Sequence, residues 1–581
     1  MIPKESSIKS ILSAIKTAKY VSCDTETNSL TDKTLVAFSF ALYDGQNVTS
    51  YFIPVAMKYI PNISENIYRQ ILQGLSKKEG IVFHNFSFDG VVLKDYNFIK
   101  PHDTLVISNL LDENIRHGLK GLTKRYLHHQ MTELKEIVGS GKKQIPVSEA
   151  DERLIPYASE DAEYTLKLFL YLYPKLLRNE KLNTNIYEKI ERPLLNVVKS
   201  MHLAGITIDA LSVLNIENLC ARKVKKALER LEYLMPNVNY NSTKQLREFF
   251  INKEMMPIIK ETKKGSPAVD KEVLTKYAET SAAAKLLLEY RKYNKILSTV
   301  IPALTPKLVD VATYRGKIYP SFNQSGTVSG RFSSSKPNFQ NIPKDKDMDF
   351  RDCIIAEEGN VLIGYDYSQI ELRILAHVTQ DFNLMKAYKE NLDIHQLTAD
   401  ACGISRDKAK TVNFGIVYGM RNKTLGKRIG VTPQEAQQYI DKYMETYNRI
   451  KPYWEHAEQQ LRLSGYVETV CGRKRHRTQE FSVKDKFDQS REIGSAINST
   501  IQGSGGDILK MAMVDMYPKL KLLGATIIAC IHDELIISCP KSKEQQGEKI
   551  VKESMLNAAS ILSVPMLIDG GIGQTWRDIH E

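Results

Sequence analysis

What this chain of 581 residues lacks narrows it first. It has seven cysteines, Cys23, Cys220, Cys353, Cys402, Cys471, Cys530 and Cys539, and no two of them form a C-x-x-C pair. That scatter offers neither a structural zinc site nor a disulfide framework, and it suits a reducing compartment. No apolar run is long enough to cross a bilayer, so no membrane partner is expected. The N-terminus carries lysines and serines but no secretory apolar region, and a strand begins by Tyr20, which leaves little room for a cleaved presequence. A cytoplasmic protein is expected.

The length is enough for three or four domain-sized cores. With 42% hydrophobic and 25% charged residues the composition is that of an ordinary globular protein. The net charge of +12 points to a polyanionic partner, although proteins that bind nothing acidic share such an excess.

In the first third, Lys19 to Thr27, Leu35 to Leu42 and Thr49 to Val55 read as three strands separated by polar turns, an antiparallel sheet. Asp24 and Glu26 are two apart on the first strand and project from one face. Two like charges side by side are costly unless a cation lies between them; alone, the pattern is equally that of a solvated strand. Ile81 to Phe83 reads as a strand leading into a helix, with Asn85 and Asp89 on one helix face. Tyr157 and Asp161 have the same spacing in Pro156-Tyr-Ala-Ser-Glu-Asp161. These three segments resemble the three motifs of the proofreading 3′→5′ exonucleases of the DnaQ type, in the variant whose third motif carries a tyrosine. His117 to Tyr126 resembles the region between the second and third motifs. The resemblance implies an RNase H-like domain in which Asp24, Glu26, Asp89 and Asp161 bind two metals and Tyr157 orients the attacking water. Hard oxygen ligands select Mg²⁺, with Mn²⁺ as a substitute.

Ile190 to Asp209 resembles the entry into the polymerase domain of the bacterial DNA polymerase I family, family A. From 211 to 300 the pattern is helical and charged, and Asn241 to Leu246 reads as a capped helix start. The resemblance makes this region the thumb, whose basic helices suit phosphate contacts; a solvated helical arm is the competing reading.

The second half carries motifs in series. Gly326 to Pro343 is rich in Ser, Gly and Pro and reads as a loop. Val361 to Tyr365 is a short apolar run ending on Asp366, where the period changes to helical through Ile370, Ile374 and Leu375. The end of a buried strand holds a carboxylate rigidly, which suits a metal ligand, whereas a simple turn beginning at Asp366 is the competing reading. Ser368-Gln-Ile-Glu371 fits a capping box. Arg406, Lys410, Phe414 and Tyr418 are four apart in series and share a helix face, two cations followed by two aromatics, as a triphosphate with a base and sugar beyond it would require. Gly415 and Gly419 each cost a helix about 1 kcal/mol against alanine, which a closely approaching base pair would justify. Gly465 to Arg477 is strongly basic and turn-rich. Ala525 to Cys539 reads as a hairpin with His532, Asp533 and Glu534 at its bend.

In order and spacing these segments resemble the polymerase motifs of family A. The resemblance implies that Asp366 and Asp533 hold two Mg²⁺ ions, with Tyr367 among the metal contacts and Glu534 nearby among the catalytic residues. Lys410 would protonate the pyrophosphate leaving group. Arg406, Lys410, Phe414, Tyr418, His395 and Gln369 would contact the incoming nucleotide, and Glu371 would exclude a ribose 2′-OH. Arg331, Gln340, Asn341, Asn498, Gln502 and His532 would contact primer–template DNA, and the basic 465–477 segment would contact template or triphosphate. Gly494 stands where a basic residue is expected.

The fold class expected is thus multi-domain α/β: an RNase H-like exonuclease domain over 1–185, then a right-hand polymerase domain over 186–581. Its palm covers about 186–210, 301–380 and 495–581 and contains an antiparallel sheet; the thumb covers about 211–300 and the fingers about 381–494. The function expected is template-directed DNA synthesis from dNTPs with proofreading. No 5′ nuclease domain is expected before residue 1, and the layout expected is that of a phage replicase, a monomer with helicase and single-strand-binding protein as possible partners. A single-subunit RNA polymerase shares this palm, but Glu371, Phe414 and the complete nuclease motifs speak against it. A non-catalytic nucleic-acid clamp leaves six motif acids unexplained.

Overall fold

The computed structural model describes residues 1–29, 32–262, 265–343 and 348–580. Its N-terminal unit is built on a five-stranded sheet of order β3-β2-β1-β4-β5, formed by β1 (Tyr20–Thr27), β2 (Leu35–Tyr43), β3 (Val48–Pro54), β4 (Val82–Phe83) and β5 (His102–Asp103). The first three strands are antiparallel, and β4 and β5 join parallel to β1. Central β1 is buried on both faces, and its buried polar side chains Ser22 and Thr25 are hydrogen-bonded. The helix Leu154–Leu177 lies across the sheet. Ser22 and Ser39 pin it there, their hydroxyls donating at 2.6 Å to the carbonyls of Ala162 and Ala158. Ser22 shares a strand face with Asp24 and Glu26, so the same contacts bring Tyr157 and Asp161 over those acids.

The C-terminal unit centres on a four-stranded antiparallel sheet of order β7-β8-β6-β9, from β6 (Asn360–Tyr367), β7 (Thr526–Ile531), β8 (Glu534–Pro540) and β9 (Ile568–Gly573). β6 is the inner strand expected from its apolar run, and Asp366 is its last residue but one. β9 approaches β6 so closely that a Cβ on Gly570, at φ +152°, would meet the Gly364 carbonyl at 2.0 Å. The 38-residue helix Lys486–Leu523 packs beneath this sheet and continues the core into the connector helices.

Residues expected in the thumb are helical, from Ala210–Leu234 onward. The expected cap is present, with Ser242 accepting from the Gln245 amide at 3.4 Å. This region has its own small core around Phe250, Tyr277 and Leu287. A salt bridge of 3.0 Å between Glu272 and Lys427 joins it to the helix Asn422–Ile429. Among the described residues no helix is long and apolar enough to cross a membrane.

Candidate active sites

In the N-terminal unit, Asp24, Glu26 and Asp161 each place a carboxylate oxygen within 4.8 Å of the others. Asp89 closes the fourth side, but its Oδ1 accepts from the Thr25 amide at 3.0 Å and the Thr25 hydroxyl at 2.7 Å. Asp89 therefore lies beside the trio with one oxygen already engaged. Its helix, Phe86–Val92, starts from Asn85 in the left-handed region at φ 73°. Asn85 thus precedes the helix instead of sharing its face with Asp89, a correction to the spacing argument. The amides of Asn85 and Phe86 donate to buried Asp103 at 3.0 and 2.8 Å, a brace that spacing alone did not reveal.

Burial pushes all four acids up, and neighbouring carboxylates add to the rise. Glu26 rises to about 8, through burial first and then the charges of Asp161 and Asp89. Asp89 rises to about 7 and Asp161 to about 6, burial leading in both. Asp24 moves well above the usual carboxylate range for the same reasons. The opposing cation is Lys120, which lowers Asp24, Glu26 and Asp161. Its Nζ stands 4.5 Å from the Tyr157 ring centre and donates to the Tyr157 hydroxyl at 3.4 Å. Lys120 was not singled out from sequence, although it lies in the family-like segment His117 to Tyr126. Oδ1 of Asp161 is buried with no hydrogen-bond partner. A crowded carboxylate trio with raised proton affinity and an unsatisfied oxygen fits a hard divalent cation.

In the C-terminal unit, β6 and β8 pair Asp366 with Glu534, and the Tyr367 amide donates to the Asp533 carbonyl at 3.4 Å. Asp366, near the end of β6, and Asp533, in the bend just before β8, are therefore neighbours, although they lie 167 positions apart in sequence (533 − 366). Arg331 lies between Asp533 and Glu371, its Nη2 donating to Glu371 Oε1 at 2.7 Å and to Asp533 Oδ1 at 3.2 Å. Burial pushes Glu371 above the usual range, and Arg331 opposes that rise. The capping-box reading of Glu371 is overturned: the helix Ile370–Thr379 begins from Gln369 at φ 54° with no side-chain cap, and Glu371 turns to Arg331 instead.

A sequence model described as DNA polymerase family A matches residues 212–578, and one described as 3′-5′ exonuclease matches residues 1–177. This chain belongs to DNA polymerase family A. DNA polymerase I of Borreliella burgdorferi is 33% identical over 98% of the chain and 63% of its own length. The enzyme of Pseudomonas aeruginosa is 33% identical over 98% of the chain and 64% of its own length. The thermostable DNA polymerase I of Thermus aquaticus is 34% identical over 73% of the chain and 52% of its own length. The chain thus spans less than two thirds of the length of these relatives. The solved structure titled as the POL domain of Pol1 from M. smegmatis, in complex with DNA primer-template and dNTP, has a TM-score of 0.87 at 23% identity over the full length of both chains. Palm, thumb and fingers with an attached exonuclease domain is accordingly the family A fold seen here.

Within that frame the remaining candidates divide. Lys410 is exposed on the helix Arg406–Val417, and Phe414 and Tyr418 stack with ring centres 6.4 Å apart. Tyr418 and Gly419 lie beyond the helix end, Gly419 at φ +64°. Gly415 faces Leu425 and Met420, where a Cβ would come within 3.1 and 3.3 Å, so packing inside the fingers accounts for it without a base pair. Arg406 is paired with Asp393 at 2.7 Å. His395 is 3% exposed, and its Nδ1 accepts from Asn413 at 2.8 Å. It is a packed histidine in this state, covered where a triphosphate contact was expected. Gln369 accepts from the Tyr388 hydroxyl at 3.2 Å.

The DNA candidates divide similarly. Asn498 and Gln502 lie one turn apart on the long helix, and Oδ1 of Asn498 is buried without a partner. Asn341 and His532 are exposed. Open space surrounds Gly494. Gln340 has both ends of its amide engaged by protein: Nε2 donates to the Cys530 carbonyl at 2.9 Å, and Oε1 accepts from the His532 amide at 2.8 Å. It braces the bend that carries Asp533, where His532 is held at φ 55°.

Two metal-related candidates also change. The Tyr367 hydroxyl donates to the Met555 carbonyl at 2.7 Å, so any metal contact by Tyr367 falls to its backbone carbonyl. Glu534 Oε1 accepts from Trp576 Nε1 at 2.7 Å and lies 3.0 Å from His580 Nε2, which ties it to the end of the chain. Asp569, opposite Asp366 in the β6–β9 register, is an acid that sequence reasoning missed. The basic 465–477 segment departs most from expectation, because Arg473 and Arg475 are buried in ion pairs with Glu191, Asp507 and Glu113.

Proposed function

We propose that this protein extends a DNA primer along a template, joining the primer 3′-OH to the α-phosphorus of a dNTP with release of pyrophosphate, and that its N-terminal domain removes mismatched 3′ ends. The observation that carries this reading is the cluster at the end of β6: Asp366 beside Asp533, with Arg331 joining Asp533 to Glu371. Family membership and the fold shared with a polymerase solved with primer-template and dNTP support it.

The roles follow from where the side chains stand. Exposed Lys410 makes no ion pair among the described residues and would bind the triphosphate and give a proton to the departing pyrophosphate. Phe414 and Tyr418 present stacked rings to the base and sugar. Glu371, immobilised by Arg331, walls off the space a ribose 2′-OH would occupy. Asn498, with its unsatisfied oxygen, and Gln502 would read the minor groove, which reports pair geometry without choosing a base. In the exonuclease domain, Tyr157 is held by Lys120 at the margin of the acid trio, where it would orient a water. Asp366 and Asp533 in one site, and Asp24, Glu26, Asp161 and Asp89 in the other, would hold the divalent ions, Mg²⁺ or Mn²⁺, which when bound stabilise the charge of the entering and leaving oxygens.

The domain boundaries stated above are part of this proposal. So is its setting as a monomer in phage DNA replication in a host cytoplasm with helicase and single-strand-binding protein, which rests on the resemblance alone. The comparisons lend no support to a single-subunit RNA polymerase. Extension of a primed template tests the reading directly: dNTPs should be incorporated and ribonucleotides largely refused. Glu371→Ala should relax that refusal by about tenfold or more. Equal use of both sugars by the parent protein would overturn the DNA polymerase assignment.

A further inference from the structure

The hairpin formed by Tyr466–Glu468 and Lys474–His476 carries two arginines, two residues apart, that pair with different parts of the chain. Arg475 reaches the exonuclease domain, where its Nη1 donates to Glu113 Oε1 and Asn114 Oδ1, both at 2.6 Å. The His476 amide also donates to Glu113 Oε1 at 2.6 Å, and Asn114 Nδ2 donates back to the His476 carbonyl at 3.1 Å. Glu113 closely follows the helix Thr104–Leu111, and the cap of that helix is Asp103, the residue that holds the start of the Asp89 helix. Side chains and one short helix thus connect the hairpin to the exonuclease acids.

Arg473 faces the other way. Its Nε donates to Asp507 Oδ1 at 2.7 Å on the long helix that carries Asn498 and Gln502, and its guanidinium also pairs with Glu191. Lys510 completes this buried group, donating to Glu191 Oε1 at 2.6 Å and to the Gln324 carbonyl at 2.8 Å. Gly330 lies against the same guanidinium: a Cβ there would meet Arg473 Nε at 2.5 Å. The next residue is Arg331, which holds Asp533 and Glu371.

We propose that this hairpin is a strut that fixes the exonuclease cluster in register with the polymerase cluster, so that a frayed primer 3′ end leaving one site meets the other. Glu113, Arg473 and Arg475 are then positioning residues for the excision of mismatched ends, acting through Asp103 on one side and Arg331 on the other. Buried ion pairs suit this task, because their directional bonds specify a single geometry where an apolar contact would tolerate sliding. The proposal rests on the two activities proposed above.

Three rates on the full chain test it: extension of a matched primer, degradation of a single-stranded oligonucleotide, and excision of a mismatched 3′ end from a duplex. Arg475→Met and, separately, the milder Glu113→Gln should leave the first two within about twofold of the parent. Excision of the mismatched end should fall by about tenfold or more, since it alone requires both sites in register. Arg475→Lys should restore part of the loss, and the double variant should fall no further than Arg475→Met, as expected of two partners in one contact. Unchanged mismatch excision in both single variants would overturn the strut. So would an equal fall in single-strand degradation, which would mean that the contact merely supports the exonuclease domain. A parent protein that fails to degrade single strands would instead remove the exonuclease reading on which the strut depends.

Discussion

The exonuclease cluster packs three carboxylates within 4.8 Å of one another, whereas the polymerase cluster sets a guanidinium between its acids. In the first, burial and repulsion raise every acid, and Lys120 at the rim only moderates the rise. In the second, Asp533 and Glu371 share Arg331. One site is thus electrostatically incomplete without an added cation, while the other carries a counter-ion of its own. The guanidinium engages Oδ1 of Asp533, so a cation bound at that oxygen would compete with Arg331.

The sharpest way to break this comparison is to remove one cluster at a time. Asp366→Ala should reduce primer extension by about 10³-fold or more, roughly 4 kcal/mol of transition-state stabilisation, and leave single-strand degradation intact. Asp24→Ala should do the reverse. Loss of both activities in either variant would show that the clusters are not separate sites. A smaller effect is expected of Arg331→Met, on the order of 10- to 100-fold in extension with excision of single strands unchanged. Faster extension in that variant would show that the guanidinium is a brake and nothing more.

The electrostatic contrast has its own signature in stability. Glu26 and Asp89 ionise in the unfolded chain near the ordinary carboxylate range but hold their protons to about 8 and 7 when folded. The folded state therefore binds more protons over that interval, and metal-free stability, full below the ordinary range, is lost as pH rises toward 8. Melting of metal-free protein should show this decline, and Mg²⁺, Mn²⁺ or Glu26→Gln should flatten it. A metal-free melting temperature that rises over the same interval would contradict the crowded-acid description.

Much of both sites was legible because short spacings encode faces: Asp24 with Glu26 on a strand, Tyr157 with Asp161 on a helix, and an apolar run ending on Asp366. What escaped depended on distant partners. Ser368 to Glu371 fits a capping box locally, yet Arg331, 40 residues away, takes the Glu371 carboxylate. The 465–477 segment reads as a nucleic-acid contact because sequence shows its positive charge, while its acidic partners Glu113 and Glu191 lie 362 and 282 positions away. Lys120 gave no periodic signal; only the helix Leu154–Leu177 folding over β1 brings it to Tyr157.

Gln340 offers the smallest but most discriminating test, because sequence and structure assign it different work. A DNA contact would leave its amide facing the duplex. Instead the amide spans the hairpin bend, satisfying the Cys530 carbonyl and the His532 amide. His532 is not glycine and sits at φ 55°, a conformation that persists only where its surroundings hold it. Gln340→Ala strands one donor and one acceptor at that bend, a cost of about 1–3 kcal/mol for each group that becomes buried and unpaired. Asp533, the next residue, would lose orientation, and turnover should fall by about tenfold or less. The division between constants decides the role: a lost brace lowers kcat with the KM for primer–template nearly unchanged, whereas a lost DNA contact raises that KM and makes it more salt-sensitive. Gln340→Glu sharpens the result, since a carboxylate can still accept from the His532 amide but cannot donate to Cys530. A rise in KM without a fall in kcat in both variants would return Gln340 to the duplex.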